Sequence, residues 1–271
     1  MSHDFLQSMA SASRRRVDAA RQRLSYETLC VRALAMPPPP ALRLHPRFDV
    51  FAEIKLRSPA AGSRSRPVDD LPGRAAAYAA GGAAAVSVLT EPSRFDGSIF
   101  HLVAAARALD ALRLPAMRKD FIVDAYQLAE ARAAGAGGAL LILRILTRPE
   151  LDTLVTIARS LGLFLLLEAF DEADLRVARR LVAVHGPEGL LVGVNSRDLS
   201  TLQVRPERLR ELAGALPDAV PCVAESGLAS AADAREIAGA GYRIALVGNA
   251  LMSQPDPRAL VRELIDAGRH A

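Results

Sequence analysis

The chain has 271 residues, 51% hydrophobic and 24% charged, which suits one domain with a large core or two small ones and matches the roughly 250 residues of eight βα units. Its net charge of +4 is scattered apart from Arg14-Arg15-Arg16, and with only 4% aromatics it lacks the broad, ring-interleaved basic face that nucleic acid requires. No run of about 18 apolar residues and no apolar leader is present, and two distant cysteines with five unclustered histidines form no metal-spacing motif, so a cytoplasmic protein without membrane span, nucleic-acid partner or metal is expected.

Residues 1–48 read as a helical extension. Phe5, Met9, Ala12, Ala20 and Leu24 keep roughly helical spacing over the first 34 residues. Met36 and the four prolines after it stop any helix and begin an extended crossing segment. From 49 to 271 a regular rhythm follows. Apolar runs stand at 50–55, 84–89, 114–119, 139–144, 163–168, 190–195, 220–225 and 244–248. Each is continuously apolar, as strands buried on both faces are. Helix-period stretches fill the gaps at 67–80, 98–112, 124–134, 147–161, 171–184, 205–215 and 230–240, with a last one at 256–268. Eight alternations without a long linker predict an α/β fold, a single closed (β/α)8 barrel. A doubly wound open sheet is the alternative, but no Gly-rich fingerprint follows the first strand.

In such a barrel the chemistry collects where strands end and βα loops begin. Strand one ends in Glu53 and Lys55, strand three in Arg118-Lys119-Asp120, and strand five in Glu168. Strand six ends in Asn195, followed by Arg197; strand seven ends in Glu225-Ser226-Gly227, and strand eight in Gly248-Asn249. Glu53 and Lys55 are two apart and share a side of their strand, whereas Arg118 and Asp120 point away from Lys119 and read as a structural pair. The glycines after strands seven and eight let backbone N–H groups approach an anion, so a phosphorylated small molecule is the expected ligand.

Lys55 and Lys119 are the only lysines among 34 basic residues, and both stand at strand ends. Arginine replaces lysine wherever charge alone is wanted; it does not replace a group that must release a proton, which lysine does when its pKa is lowered. Chance survival is the plain alternative, and their shared position argues against it.

The longer strings resemble the indole-3-glycerol phosphate synthase family over roughly residues 5 to 268. The matching strings are AEIKLRSPAAG at 52–62, SVLTEPSRFDGS at 87–98, RKDFIVDAYQLAEARAAGA at 118–136, VGVNSRDLSTLQV at 192–204, ESGLAS at 225–230 and VGNALM at 247–252. The resemblance implies a decarboxylating lyase of tryptophan biosynthesis. Its substrate would be 1-(2-carboxyphenylamino)-1-deoxyribulose 5-phosphate, closed to the indole with loss of carbon dioxide and water. It implies no metal or organic cofactor. It makes Lys119 the principal acid, Lys55 a substrate anchor and proton-transfer aid, Glu168 the base, and Glu53 with Asn195 the supporting network. Arg197 would hold the substrate carboxylate, and Phe121 and Leu246 would line the aromatic end. Ser58, Glu225, Ser226, Gly227, Gly248 and Asn249 would belong to the phosphate and substrate cradle. Three departures stand out: Ala169 and Phe170 follow Glu168 where the family usually has Val-His, and Asn249 replaces a commoner hydroxyl or acid. Phosphoribosylanthranilate isomerase shares the phosphate loops but needs an Asp/Cys pair at strand ends, and no cysteine stands there. A diverged, non-catalytic paralogue would not need Glu53, Lys55, Lys119, Glu168 and Asn195 intact. A monomer or weak homodimer is expected.

Overall fold

The structure, a computed structural model, describes residues 2–57, 70–198 and 203–271. Two helices come first, α1 (Ser2–Arg21) and α2 (Tyr26–Ala35). The single helical stretch expected over the first 34 residues breaks because Ser25 caps a new helix, its side chain accepting from the Thr28 N–H.

Strands and helices then alternate: β1 (Asp49–Ile54), α3 (Leu71–Ala80), β2 (Ala85–Leu89), α4 (Pro92–Phe95), α5 (Ile99–Asp110), β3 (Ala116–Lys119) and α6 (Ala125–Ala133). They continue with β4 (Gly138–Ile142), α7 (Arg148–Ser160), β5 (Phe164–Ala169), α8 (Glu172–His185), β6 (Leu190–Asn195) and α9 (Glu207–Glu211). The last are β7 (Cys222–Glu225), α10 (Ala231–Gly239), β8 (Ile244–Val247), α11 (Asn249–Ser253) and α12 (Arg258–Arg269). The eight strands close in sequence order into one parallel barrel, the predicted fold. Among the described residues no helix is long and apolar enough to cross a membrane.

After the barrel begins, boundaries differ most from the sequence reading in two places. The run 139–144 stops as a strand at Ile142 and turns through one 3-10 turn, Leu143–Ile145. The helix expected over 205–215 is only Glu207–Glu211 followed by a 3-10 turn at Ala213–Ala215. Gly214 weakens a helix there and Pro217 bars its continuation. Of the helix expected at 67–80, residues 67–69 lie outside the described residues.

Strand register fixes what points inward. Glu53 lies opposite Ser87, Ser87 opposite Met117, and Met117 opposite Gly138. Parallel neighbours share a face, so this set and every second residue after it fill the barrel. The lower interior is packed with rings: Phe51 and Phe164 lie 6.2 Å apart. Gly138 makes room for this, since a Cβ there would fall 2.3 Å from the Phe164 ring. With that floor closed, the upper inward positions are the ones left to form a pocket.

The N-terminal helix seals one side of the upper face. Leu6, Met9, Ala10, Ser13 and Val17 are buried and lie along one stripe of α1. Burying Leu6, Met9 and Val17 contributes on the order of 1.5–3 kcal/mol each. Ser13 Oγ donates to the carbonyl of Phe121 at 2.5 Å, and Arg16 pairs with Asp120 at 2.8 Å. The proline segment that follows α2 is held from below by Arg132, which donates to the carbonyls of Met36 and Pro37.

Candidate active site

The site starts from strand ends. Lys119 is the last residue of β3, and its Nζ lies 3.2 Å from Glu168 Oε1 on β5 and 3.1 Å from Glu225 Oε2 on β7. Asn195, at the end of β6, donates from Nδ2 to the same Glu168 oxygen at 2.9 Å. Its Oδ1 accepts from the Ser226 hydroxyl and from the Arg197 N–H, each at 2.9 Å. On β1, Glu53 and Lys55 form an ion pair of 2.9 Å. The carboxylates of Glu53, Glu168 and Glu225 are nearly sealed from solvent, with residue exposures of 4%, 3% and 1%.

Burial by itself would lower the proton affinity of Lys119, but Glu168, Glu225 and Glu53 outweigh it and hold its pKa above the ordinary lysine range. Lys119 is therefore a fully loaded ammonium, the reverse of the lowered pKa from which the sequence argument began. Burial also penalises the Glu53 carboxylate, yet Lys55, Lys119 and Arg197 draw its pKa below the ordinary value. Glu225 goes the other way. Burial pushes its carboxyl up to about 8 against the pull of Lys119, with Glu168 adding repulsion. One site thus contains a charged carboxylate and a carboxyl that holds its proton near neutral pH.

Arg118 and Asp120 form a 3.1 Å ion pair behind Lys119, as the alternation predicts. Thr90 and Arg16 complete the shell around Asp120, at 2.7 and 2.8 Å. Asp120 also accepts from the Phe121 N–H, so the segment carrying Phe121 is tied to α1 through both side chain and backbone.

One pocket gathers Glu53, Lys55, Lys119, Phe121, Glu168, Asn195, Arg197, Glu225, Ser226, Gly227, Leu246, Gly248 and Asn249. Ser58 lies outside the described residues. Further walls were not singled out from the sequence: Phe5 and Leu6 from α1, Phe95 after β2, and Phe170 after β5. Phe5 meets the Phe121 ring edge-on at 6.2 Å, and Phe95 lies 6.5 Å from it. Leu89 and Ile142 also face the pocket, and their inward parity was the signal available for them. Phe170, one of the departures, is stacked under the Arg144 guanidinium at 4.6 Å. Arg144 is itself held by Asp174 and Asp171.

The two loops after β7 and β8 form the other end. Ser226 and Gly227 both have positive φ, 71° and 81°. A side chain on Gly227 would be strained and would also meet Val204 at 2.7 Å. Gly248 lies against the Glu53–Lys55 pair and opens α11. The pocket therefore has an aromatic wall, a central acid–base cluster, and a glycine-lined end facing the ends of β7 and β8.

A sequence model of the family described as indole-3-glycerol phosphate synthase matches residues 6–264. A relative of that name from Rhodococcus opacus is 40% identical over 260 residues, covering 94% of this chain and 93% of the relative. One from Mycolicibacterium smegmatis is 40% identical over 269 residues, covering 98% and 95%. Among solved structures, 3-hexulose-6-phosphate synthase from Salmonella typhimurium superposes with a TM-score of 0.61 at 13% identity, covering 81% of this chain and 98% of that one. Thiamine phosphate pyrophosphorylase from Pyrococcus furiosus gives 0.60 at 16% identity, covering 82% and 96%. At those identities the structural likeness speaks to the barrel alone.

Proposed function

We propose how this pocket works from one premise: the chain belongs to the indole-3-glycerol phosphate synthase family. The reaction is the conversion of 1-(2-carboxyphenylamino)-1-deoxyribulose 5-phosphate to indole-3-glycerol phosphate, with loss of carbon dioxide and water. The observation that carries the assignment of roles is the Lys119 ammonium held between Glu168 and Glu225, with the Glu53–Lys55 pair in the same pocket.

The substrate's phosphate is read into the loops of Ser226-Gly227 and Gly248-Asn249, where backbone N–H groups are open to an anion. Its aromatic ring goes to the wall of Phe121 and Leu246, joined by Phe5 and Phe95. Arg197 grips the ring carboxylate. In this pose the ring carbon bearing the carboxylate attacks the ketone carbon. A carbon–carbon bond forms, the carbonyl oxygen becomes an alkoxide, and Lys119 gives it a proton. The carboxylate then leaves as carbon dioxide, its bonding pair returning to the ring. The new hydroxyl leaves as water, its departure assisted by a proton from Lys55. Glu168 removes a proton from the neighbouring carbon, which closes the indole. Glu53 orients Lys55, and Asn195 orients Glu168.

A raised pKa suits this use of Lys119. The group enters every cycle protonated, and it discharges only onto an oxygen as basic as the alkoxide that ring closure creates. The same reading takes in a cytoplasmic enzyme acting on a phosphorylated small molecule as a monomer or weak homodimer. The experiment is direct turnover of the carboxyphenylamino-deoxyribulose phosphate, followed by indole fluorescence. The protein contributes no tryptophan background. Absence of product at saturating substrate would refute the reading.

A further inference from the structure

One oxygen in the acid–base cluster lies away from Lys119. Glu225 Oε2 receives Lys119, but Oε1 is buried without a hydrogen bond among the described residues. The room for that oxygen comes from the neighbouring strand. β6 pairs with β7, placing Gly193 opposite Val223 and Asn195 opposite Glu225. A Cβ built on Gly193 would fall 2.2 Å from Glu225 Oε1 and 3.2 Å from its carboxyl carbon. It would also lie 3.1 Å from the Leu166 side chain. The carboxylate oxygen occupies the volume of a side chain that β6 does not have.

Backbone conformation does not explain the glycine. Gly193 is not among the positive-φ glycines and sits inside a strand, where glycine is normally unfavourable. Close approach of another group is the remaining physical reason for it, and the group approaching is Glu225.

We propose that Gly193 is a positioning residue for the reaction: its missing side chain is the berth for Glu225 Oε1, and that berth keeps Oε2 on Lys119. The proposal rests on the reading of Lys119, Glu168 and Glu225 as acid–base machinery. Gly193 does not line the pocket itself. A methyl group at this position forces the Glu225 carboxyl to turn, which breaks the 3.1 Å contact and leaves Lys119 directed by Glu168 from one side. Gly248 does a similar thing for the Glu53–Lys55 pair, with a Cβ there 2.3 Å from Glu53 Oε1. Gly248 also borders the phosphate end, so Gly193 is the cleaner position to test.

The experiment measures kcat, KM and Tm for Gly193→Ala, Glu225→Ala and the double variant, and for Glu225→Asp with and without Gly193→Ala. A displacement of about 1 Å within a catalytic cluster costs up to roughly 10²-fold. Gly193→Ala is therefore expected to lower kcat by about 10- to 100-fold, with KM within a few-fold of wild type. In the Glu225→Ala background the same substitution should cost nothing further in kcat or Tm, because no carboxylate remains to be displaced. With Glu225→Asp, whose carboxyl is retracted by one methylene, Gly193→Ala should cost less than it does in wild type. If Gly193→Ala fails to fold while Gly193→Ala/Glu225→Ala folds, the berth is supported by stability instead. Wild-type-like kcat in Gly193→Ala would overturn the proposal. Equal losses in both backgrounds, or failure of both to fold, would do the same and would point to Leu166 and the strand. Full activity of Glu225→Ala would instead sink the acid–base reading, and the positioning role with it. That failure is recognisable because the Tm coupling between positions 193 and 225 would persist.

Discussion

Replacing Lys119 with arginine separates two things the ammonium could do. It lies 3.2 Å from the Glu168 carboxylate and 3.1 Å from the Glu225 carboxyl. At an effective dielectric of about 20, the contact with Glu168 is a gross attraction of roughly 5 kcal/mol before desolvation is counted, while Glu225, protonated near neutral pH, adds a hydrogen-bond acceptor. Arginine retains that charge, so the resting cluster should stay assembled and substrate should bind with KM within a few-fold. It does not retain an acid of matched strength, since a guanidinium holds its proton with a pKa above about 12 before the carboxylates add to it. Loss of general-acid help typically costs about 10²- to 10⁴-fold, or roughly 3–5 kcal/mol of barrier. Lys119→Ala should lose as much in kcat and, in addition, destabilise the fold by about 3–5 kcal/mol at neutral pH, because the buried Glu168 carboxylate loses its cation. The assay is steady-state turnover by indole fluorescence, alongside urea unfolding of each variant. A Lys119→Arg enzyme within a few-fold of wild-type kcat, with chemistry rate-limiting, would refute proton donation and leave Lys119 as an electrostatic anchor.

Glu168→Gln keeps shape and the Asn195 contact but removes the proposed base, and kcat should fall by roughly 10²-fold or more; near-normal turnover would move the base to Glu53. Gly227→Ala should raise the inhibition constant of inorganic phosphate, since the φ of 81° and the 2.7 Å approach to Val204 both force that loop to shift, and an unchanged constant would place the phosphate elsewhere. For Glu225, the ordinary pKa of 4.5 rises to about 8 on folding, so between those values the folded state binds a proton the unfolded chain lacks. Stability should therefore fall as pH rises from 4.5 to 8, and Tm of Glu225→Gln should fall less over the same range; parallel curves would contradict the raised carboxyl. Lys119, whose ordinary value of 10.5 only rises, does not titrate in that window. Arg16→Ala removes the 2.8 Å partner of buried Asp120 and should cost about 1–3 kcal/mol in urea unfolding, with no loss counting against the α1 tether.

Much of the site was legible because barrel chemistry sits at strand ends and strands alternate. Lys55, Lys119, Glu168, Asn195 and Glu225 could each be found by reading the last polar residue of an apolar run, and Glu53 by its place two residues before Lys55 on the same face. The aromatic wall was only half legible. Phe121 follows a strand, but Phe5 belongs to a helix whose contact with Phe121 spans more than a hundred residues and leaves no local pattern. The protonation states were not legible at all. Lys119 carries a raised pKa because carboxylates from three other strands converge on it, and their mutual distances exist only once the barrel closes. The helix expected at 205–215 was lost for a local reason: Leu209 and Leu212 keep helical spacing, but Gly214 and Pro217 end it early.

The tether of α1 has a kinetic side. Ser13 and Arg16 find their partners 108 and 104 residues further along the chain. At a synthesis rate of about 5–20 residues per second, α1 is made on the order of 5–20 s before Asp120 and Phe121. During that time the apolar stripe of Leu6, Met9 and Val17 has no native surface to cover it. A helix that must wait is also one that can be delivered late. A barrel made without it should accept the α1 segment as a separate peptide, and the rate of that docking would report directly on when the upper face of the barrel becomes ready to receive it.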